Sequence, residues 1–444
     1  MKKLYIILLI LPLIGFGQGW EQILGGNFRD KGHSVQQTSD GGYIITGTMN
    51  EYGNEYTILS YGELFLIKTD ENGNEQWSKT FGEGYGRSVQ QTTDGGYIIT
   101  GSNYIKNNNP LEISDVILIK TDENGNEEWS QTLGGTVTDE GHSVQQTLDG
   151  GYIIAGWTGI VEPDYDTGVY LIKTDENGEE EWSKSFGGGA RGYSVQQTVD
   201  GGYIVAGSKG VNVNGYDNSD VYLLKTDGDG IEQWSQTFGT ETGGEIGYSV
   251  QQTVDGGYIV TGSKHNPNNF DTGMYSPILI KIDESGEEEW FQTFGGDGWG
   301  YSVQQTVDGG YIVTGSKDPI GNDVSDVYLL KTDENGEEEW SQIFDGSYED
   351  VGFSVQQTTD GGYIITGYTN YFITIEQFIS YDIYLIKTDN LGNITSTLEL
   401  PAPSSKRELV KTTNILGQEN ITIKNQPMIE IYDDGSVEKK YIIE

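Results

Sequence analysis

The chain has 444 residues, and 68 acidic side chains against 25 basic ones give it a formal net charge of -43. This balance argues against a nucleic-acid partner, because contacts to phosphates need a basic surface. Cysteine is absent, which excludes disulfides, thiolate chemistry and zinc sites of the cysteine type. The stability of the fold must therefore come from its core.

The N-terminal residues have the pattern of a secretory signal peptide. Lys2 and Lys3 precede the apolar run Leu4–Ile14, and the small residues of Gly15–Gly17 follow it. The apolar run is too short to span a bilayer, and no later segment is apolar enough to do so. The sequence predicts a signal peptide at 1–17 and an exported, monomeric mature chain without a membrane span.

Seven repeats occupy most of the chain. Each contains Ser-Val-Gln-Gln-Thr, an Asp-Gly-Gly turn and Tyr-Ile, and adjacent copies start 51–55 residues apart. Their first serines are Ser34, Ser88, Ser143, Ser194, Ser249, Ser302 and Ser354. Strand-like runs on both sides of such a turn predict a hairpin, and a fixed period of this length indicates a repeat architecture.

Each repeat offers four strand candidates. After the hairpin, a third strand ends in Lys-Thr-Asp, as in Val221–Asp227, and a fourth centres on tryptophan, as in Glu181–Phe186. The second and third strands are almost continuously apolar, which fits burial on both faces. The sequence predicts an all-β fold, a seven-bladed β-propeller with four-stranded blades over residues 18–396. A β-solenoid is the alternative, although its repeats are usually shorter.

Seven tryptophans occupy the fourth-strand position, but the first of them precedes the first repeat. They are Trp20, Trp77, Trp129, Trp182, Trp234, Trp290 and Trp340. The seventh repeat has no tryptophan of its own, so Trp20–Leu24 is a spare fourth strand. We expect it to lie antiparallel to Tyr384–Thr388, closing the last blade and covering its edge.

Two consecutive glutamines stand in the first strand of every repeat, from Gln36 and Gln37 to Gln356 and Gln357. Side chains alternate across a strand, and a buried amide needs hydrogen-bond partners. We therefore expect these glutamines to link neighbouring blades rather than to bind a ligand in a central channel.

The repeat resembles bacterial secreted propeller-like repeats, on its Ser-Val-Gln-Gln-Thr-x-Asp-Gly-Gly-Tyr-Ile and Leu-Ile-Lys-Thr-Asp-x-x-Gly motifs and the tryptophan that follows. The strand-turn-Gly-x-x-Trp portion is also similar to quinoprotein-type propeller blades, in which the tryptophan strand is outermost. The resemblance covers residues 20–392. Some proteins with such repeats are described as glucanases, but no catalytic, quinone or metal site maps onto this chain.

The composition changes near the C-terminus. Residues 397–405, with Pro401–Ser405, read as a linker, and residues 406–444 as a small β module with a hairpin at Asp434-Gly435. The runs Asn414–Glu419 and Ile431–Glu444 resemble the type A sorting domain of the type IX secretion system of Bacteroidetes. The resemblance implies the secretion machinery as a partner, passage through the outer membrane, and a secreted or cell-surface location.

Catalytic chemistry finds little support in the sequence. His33 and His142 share one repeat position that elsewhere holds Arg, Tyr or Phe, which favours packing, and His265 stands alone. No carboxylate pair stands out among so many acids, so we expect no catalytic residue. Turns such as Asp122–Gly125 are rich in oxygen ligands, so calcium binding stays an alternative. Their glycine spacing does not match an EF-hand loop, however, and favours plain turns without a metal or other cofactor.

The loops between second and third strands and the links between blades vary, and they share one face of the predicted disc. Trp157 and Trp299 are the two tryptophans outside the seven-fold set, and both fall in these variable segments, as does Tyr165. Aromatic faces suit stacking on sugar rings. The sequence favours a secreted binding or adhesion module for carbohydrate or another surface ligand, with these three residues as its site. A polysaccharide-active enzyme and a purely structural surface protein are the alternatives.

Overall fold

The computed structural model describes residues 19–25, 29–51, 62–105, 113–159, 167–213, 216–239, 244–265, 275–318, 324–346, 349–373, 378–394, 409–414, 427–432 and 437–441. The predicted signal peptide, the predicted linker and Tyr165 lie outside these residues. Contacts divide the chain into two compact units, 1–395 and 396–444. Within the described ranges, no helix has the length and apolar character needed to cross a membrane.

The first unit consists of antiparallel sheets in which the strands of a repeat follow one another in chain order. Strand β1 (Trp20–Leu24) precedes the repeats. The first two repeats form β2 (Arg29–Gln37), β3 (Tyr43–Glu51), β4 (Glu63–Thr69), β5 (Glu75–Gln91), β6 (Tyr97–Ile105), β7 (Ile113–Thr121) and β8 (Glu127–Leu133). The third and fourth form β9 (Asp139–Gln146), β10 (Tyr152–Gly159), β11 (Thr167–Thr174), β12 (Glu180–Phe186), β13 (Ala190–Gln197), β14 (Tyr203–Val213), β15 (Tyr216–Thr226) and β16 (Glu232–Phe238).

The remaining repeats continue the same order. The fifth and sixth form β17 (Glu245–Gln252), β18 (Tyr258–His265), β19 (Tyr275–Ile282), β20 (Glu288–Thr293), β21 (Asp297–Gln305), β22 (Tyr311–Asp318), β23 (Asp326–Thr332) and β24 (Glu338–Phe344). The seventh forms β25 (Asp350–Gln357), β26 (Tyr363–Ile373) and β27 (Phe378–Thr388). The all-β prediction and the four-strand repeat are confirmed for these segments.

One long strand departs from the expectation of separate four-stranded sheets. The N-terminal part of β5 pairs with β4, and its C-terminal part, from Gly84, pairs with β6. The two repeats therefore share one seven-stranded sheet, because the backbone between Thr80 and Gly84 stays paired through a register shift, with Gly82 at a φ of 90°, instead of forming a loop.

The predicted pairing of the N-terminal strand is confirmed. Strand β1 lies antiparallel to β27, with Trp20 opposite Lys387 and Leu24 opposite Ile383. The predicted partner range, Tyr384–Thr388, differs from this register by one residue at each end. The last sheet thus gains its fourth strand from the beginning of the chain, in the order β1-β27-β26-β25.

The core lies between sheets rather than within one. The second and third strands are almost fully buried on both faces, as their continuous apolar runs predict. In the described part, seven apolar clusters each combine strands of two repeats that are neighbours in the chain or at its two ends. The cluster containing Tyr43 and Phe65 of the first repeat also contains Ile383 and Leu385 of the last.

Each fourth-strand tryptophan packs against the following repeat. Its ring lies tilted or edge-on to the tyrosine that begins the next second strand, with centroids 5.8–6.0 Å apart, from Trp20 on Tyr43 to Trp340 on Tyr363. The same ring covers a turn glycine with positive φ, as Trp129 covers Gly178, where a Cβ would lie 2.5 Å from the ring. Glycine is required at this turn for both reasons.

The glutamine prediction is also confirmed: these side chains bond between repeats. The first glutamine of each repeat accepts a hydrogen bond from the backbone N–H of the second glutamine of the next repeat, at 2.5–2.6 Å. Gln356 of the last repeat accepts from Gln37 of the first in the same way, at 2.6 Å. The serine hydroxyls form a parallel set of bonds, from Ser34 to Ser354, at 3.2–3.3 Å.

The second unit contains a three-stranded antiparallel sheet. Its strands are β28 (Leu409–Asn414), β29 (Pro427–Tyr432) and β30 (Val437–Tyr441), in the order β28-β29-β30. Pro427 stands opposite Tyr441, so the last two strands form the antiparallel pair expected around Asp434-Gly435.

Candidate functional site

The first strands of the repeats surround a central cavity of about 250 Å³. A valine and the first glutamine of every repeat line it: Val35, Gln36, Val89, Gln90, Val144, Gln145, Val195, Gln196, Val250, Gln251, Val303, Gln304, Val355 and Gln356. Because these glutamine oxygens already accept backbone hydrogen bonds, the cavity wall is largely satisfied by the protein itself.

The residue before each repeat serine forms a ring at the end of this cavity where the first strands begin. We call these seven residues the mouth ring: His33, Arg87, His142, Tyr193, Tyr248, Tyr301 and Phe353. Each stands at a register shift between first and second strands, as between Gly192 and Ser194. Consecutive rings from His142 through Tyr193, Tyr248 and Tyr301 to Phe353 and His33 lie with centroids 5.0–5.5 Å apart.

Arg87 stands between the two histidines of the mouth ring and shapes their titration. Burial and the charge of Arg87 lower the pKa of His33 well below its ordinary value. Burial also lowers the pKa of His142, although its contact with Glu140, at 3.3 Å, opposes the shift. Both imidazoles are therefore neutral at neutral pH, and His33 Nδ1–H donates to the carbonyl of Gly86 at 2.9 Å.

Trp157 lies next to the mouth ring, but in a strand rather than in the predicted loop. It stands in β10, where the strand continues past the repeated motif and pairs with Glu140 and Val169. The guanidinium of Arg191, from the next repeat, lies over its indole ring at 4.9 Å. The charge of Arg191 also acts on His142, so Trp157 and the mouth ring belong to one surface.

Trp299 likewise lies in a strand, β21, rather than in a link between repeats. It stacks on Tyr275, with centroids 5.1 Å apart and an interplanar angle of 29°. Tyr275 in turn contacts His265 at 5.1 Å and is close enough to raise the pKa of Tyr248, after burial, which is the main cause. The contacts of Trp157 and Trp299 share no residue, so the two tryptophans flank the mouth ring at different repeats.

Basic side chains gather at this end of the cavity although the chain is strongly acidic. Of the four arginines in the sequence, Arg29, Arg87 and Arg191 lie in first strands. Arg29 and Lys31 lie over the ring of Tyr381, at 5.4 and 4.7 Å. The sequence reasoning missed this concentration, although the scarcity of arginine and its position beside the repeat serine could have revealed it.

A continuous patch of aromatic and basic groups results, which we call the mouth surface. It comprises the mouth ring with Arg29, Lys31, Trp157, Arg191, Tyr275, Trp299, Tyr368 and Tyr381. Aromatic faces combined with cations can bind the rings and the anionic groups of a sugar chain.

A second repeated polar feature, also missed from the sequence, is structural. The lysine of each third strand is at most 4% exposed, and its ammonium lies 2.9–3.1 Å from the aspartate of the hairpin turn. At Lys120, the fourth-strand Glu128 supplies a second carboxylate at 3.0 Å. The Asp-Glu-Asn-Gly turns are closed by their own aspartate, since Asp70 Oδ1 accepts from the N–H groups of Asn72 and Asn74.

No protein-family model and no curated protein matches the chain. Among solved structures, the chain is similar to a polysaccharide lyase of family PL25, an ulvan lyase bound to -[GlcA(1-4)Rha3S]-, with 10% identity, a TM-score of 0.52, and coverage of 85% of this chain and 98% of that one. A Pan2 WD40 domain from Neurospora crassa gives 11% identity, a TM-score of 0.48, and coverage of 84% and 99%. A Bacteroides caccae protein of unknown function gives 12% identity and a TM-score of 0.40, with coverage of 65% of this chain and 93% of that one.

These likenesses concern the fold alone, because all the identities are low. Repeated four-stranded antiparallel sheets, cores between the sheets and the likeness in fold to the ulvan lyase together describe the first unit as a repeat protein of the β-propeller type.

Proposed function

We propose that the protein is an exported seven-bladed β-propeller that binds an anionic carbohydrate at its mouth surface. The closed ring of seven blades is supported by the contacts between the last and first repeats, which include the Gln356–Gln37 bond and the pairing of β1 with β27. Export is supported by the signal-peptide pattern at 1–17 and the sorting-domain resemblance of 406–444.

The observation that carries the binding proposal is the concentration of arginine at the mouth surface, where the acids Glu140 and Glu349 also lie. Three of the four arginines gather there, in a chain with 68 acidic residues. Arginine presents a planar fork that matches carboxylate and sulfate groups, and aromatic rings stack on sugars. A uronate-containing or sulfated polysaccharide combines both kinds of group, whereas a neutral glycan lacks the anionic groups that arginine recognises.

Binding of the mature protein to uronate-rich, sulfated and neutral polysaccharides tests the proposal. We expect binding to the anionic chains that weakens as salt rises. The Arg87→Ala/Arg191→Ala double variant should bind at least tenfold more weakly, while Lys79→Ala, which removes a charge in the fourth-strand part of β5, should bind normally. Equal binding of neutral chains, or full binding by the double variant, would contradict it.

A polysaccharide-degrading enzyme is the second candidate function. The observation in its favour is that the neutral imidazoles of His33 and His142 stand beside the cationic Arg87, which places a base next to a group able to neutralise a carboxylate. Incubation with the bound polysaccharide and size analysis of the products distinguishes the two. Unchanged chain length would leave a binding role, and loss of both binding and cleavage would favour a structural surface protein.

The export route has its own test. Deletion of residues 398–444 should leave a soluble, cooperatively folded first unit that stays in the periplasm of the producing cell. Normal secretion of the truncated protein would mean that the C-terminal unit is not a sorting domain.

A further inference from the structure

Two buried carboxyl groups face each other where the second and third repeats meet. Asp115, in the third strand of one repeat, is 6% exposed, and Asp139, which begins the first strand of the next, is 1% exposed. Both approach the link glycine Gly134: a Cβ there would lie 2.8 Å from Asp115 Oδ1 and 2.6 Å from Asp139 Oδ2. We call this place the Asp115 seam.

A third oxygen belongs to the same seam. Asn103 stands directly opposite Asp115 in the pairing of β6 with β7, so the two side chains share one face of the sheet. Asp115 Oδ1, Asp139 Oδ1 and Asn103 Oδ1 are all buried and have no hydrogen-bond partner among the described residues. Buried oxygens without partners are costly, and three at one seam indicate that a group satisfies them together.

The remaining contacts orient Asp139. Its Oδ2 accepts from the N–H of Gly135 at 2.9 Å, and Thr158 also donates to this carboxylate.

In the part of the chain that the structure describes, no basic side chain balances this pair of acids. Burial, followed by the charge of Asp139, raises the pKa of Asp115 to about 6, and burial raises the pKa of Asp139. Neither shift is opposed by a lysine or arginine. The ionised form of the pair is therefore disfavoured by the protein alone, and a bound cation would supply the missing positive charge.

Other repeats show that the pairing of acids is selective. The equivalent positions hold Asp220 with Glu245, Asp326 with Asp350 and Asp382 with Asp30, but Gly168 with Ala190 between the third and fourth repeats. Opposite Asp220 and Asp326, the second strands place Lys209 and Lys317 in register. The neutral Thr369 stands opposite Asp382, and in the Asp115 seam the neutral Asn103, with its amide oxygen, has this position.

We propose that the Asp115 seam binds a divalent cation, Ca²⁺, through Asp115, Asp139 and the amide oxygen of Asn103. Two carboxylates balance the charge of one such ion, and calcium accepts carboxylate and amide oxygens together with backbone carbonyls and water. In the described residues no group of three or more His, Cys, Asp or Glu side chains is arranged for a metal, so a zinc-type site does not compete here. This site is separate from the Asp-Glu-Asn-Gly turns.

Calcium titration of the mature, chelator-treated protein tests this site, using calorimetry and the thermal midpoint at about 1 mM Ca²⁺, a concentration at which extracellular modules bind calcium. We expect saturable binding that raises the midpoint. Asp115→Asn and Asp139→Asn should each weaken calcium binding at least tenfold. Without calcium, Asp115→Asn should be at least as stable as the parent protein, because it removes repulsion between two carboxylates, so loss of binding is not loss of folding.

Asp220→Asn is the matched control, an acid at the same repeat position in another seam, and it should keep the calcium response. Mg²⁺ at the same concentration should bind more weakly, because it demands a stricter octahedron of ligands. The proposal fails if calcium neither binds nor raises the midpoint, or if its effect persists in both Asp115→Asn and Asp139→Asn. If mild acid stabilises the protein and calcium has no effect, Asp115 and Asp139 share a proton instead of binding a cation, and the proposal is wrong.

Discussion

Trp20 lies edge-on to Tyr43, with ring centroids 5.8 Å apart, although the tryptophan belongs to the sheet of the last repeat and the tyrosine to the first. Trp77 makes the corresponding contact with Tyr97 at 6.0 Å within the repeat series. Strand β1 therefore replaces the missing fourth strand in its packing on the next sheet as well as in its hydrogen bonds.

The contact predicts that Trp20→Ala destabilises the protein as strongly as a substitution inside the series. Both tryptophans are half-buried, so we expect each alanine variant to lose about 2–3 kcal/mol, somewhat less than full burial would give. Chemical denaturation of the mature protein measures the loss. If Trp77→Ala lowers the free energy of unfolding as expected but Trp20→Ala leaves it unchanged, the last sheet does not depend on β1.

Alanine substitutions at two turn glycines distinguish the cost of backbone strain from the cost of a steric clash. Gly178 and Gly150 have φ of 79° and 92°, but a Cβ on Gly178 would lie 2.5 Å from Trp129, whereas nothing lies within 4 Å of one on Gly150. Gly150→Ala should cost about 1 kcal/mol from strain alone. Gly178→Ala should cost at least twice as much in denaturant unfolding. Equal losses would mean that the tryptophan moves aside freely.

The buried lysine pairs predict a loss of stability in acid. Burial by itself would raise the pKa of Asp200, but hydrogen bonds from Thr198 and Lys225 hold it at about 2, below the ordinary value of 3.8. The unfolded chain then binds more protons between these two values, so the stabilisation is present above pH 3.8 and is lost as pH falls towards 2.

Asp200→Asn should accordingly be less stable than the parent protein near neutral pH and lose less stability on acidification. Unfolding free energies measured from about pH 5 to pH 2 give this slope. An identical slope in both proteins would show that the Asp200–Lys225 pair does not contribute to acid unfolding.

The burial of His33 predicts a second, milder dependence of the unfolding free energy on pH. Its folded pKa is lowered well below 6.5 by burial and by Arg87, so only the unfolded chain takes up a proton just below pH 6.5. Stability is complete above that pH and falls as pH decreases through it. His33→Phe, which introduces the side chain that Phe353 has at the same repeat position, should remove this part of the loss. An unchanged loss between about pH 7 and pH 5 would place the effect elsewhere.

The repeat sequence was sufficient for the strand order and for the partner of Trp20, because both follow from counting equivalent positions. The bond from Lys225 to Asp200 was not predicted, although both residues recur in every repeat. It joins a third strand to a hairpin turn, and the distance between them depends on the register and twist of three strands. Sequence periodicity contains no such information.

The candidate site was predicted only in part for a related reason. Trp157 and Trp299 were predicted because they are the two tryptophans outside the seven-fold set and fall in variable segments. The structure brings each of them to the mouth ring through a different neighbour, Arg191 or Tyr275. Both neighbours come from a sheet other than that of the tryptophan they contact. Tyr165, the third predicted residue, lies outside the described part of the chain.

The pairing of β1 with β27 also sets an order of events during biosynthesis. The N-terminal strand is made first, but its partner is made only at the end of the seventh repeat, and hydrogen bonds such as Gln37 to Gln356 connect residues 319 positions apart. Contacts of such long range form slowly, because a long loop must close before they stabilise the chain. An exported chain would therefore expose the edges of its first and last sheets until translocation of the repeats is complete, and resistance to proteases should appear late and in one step.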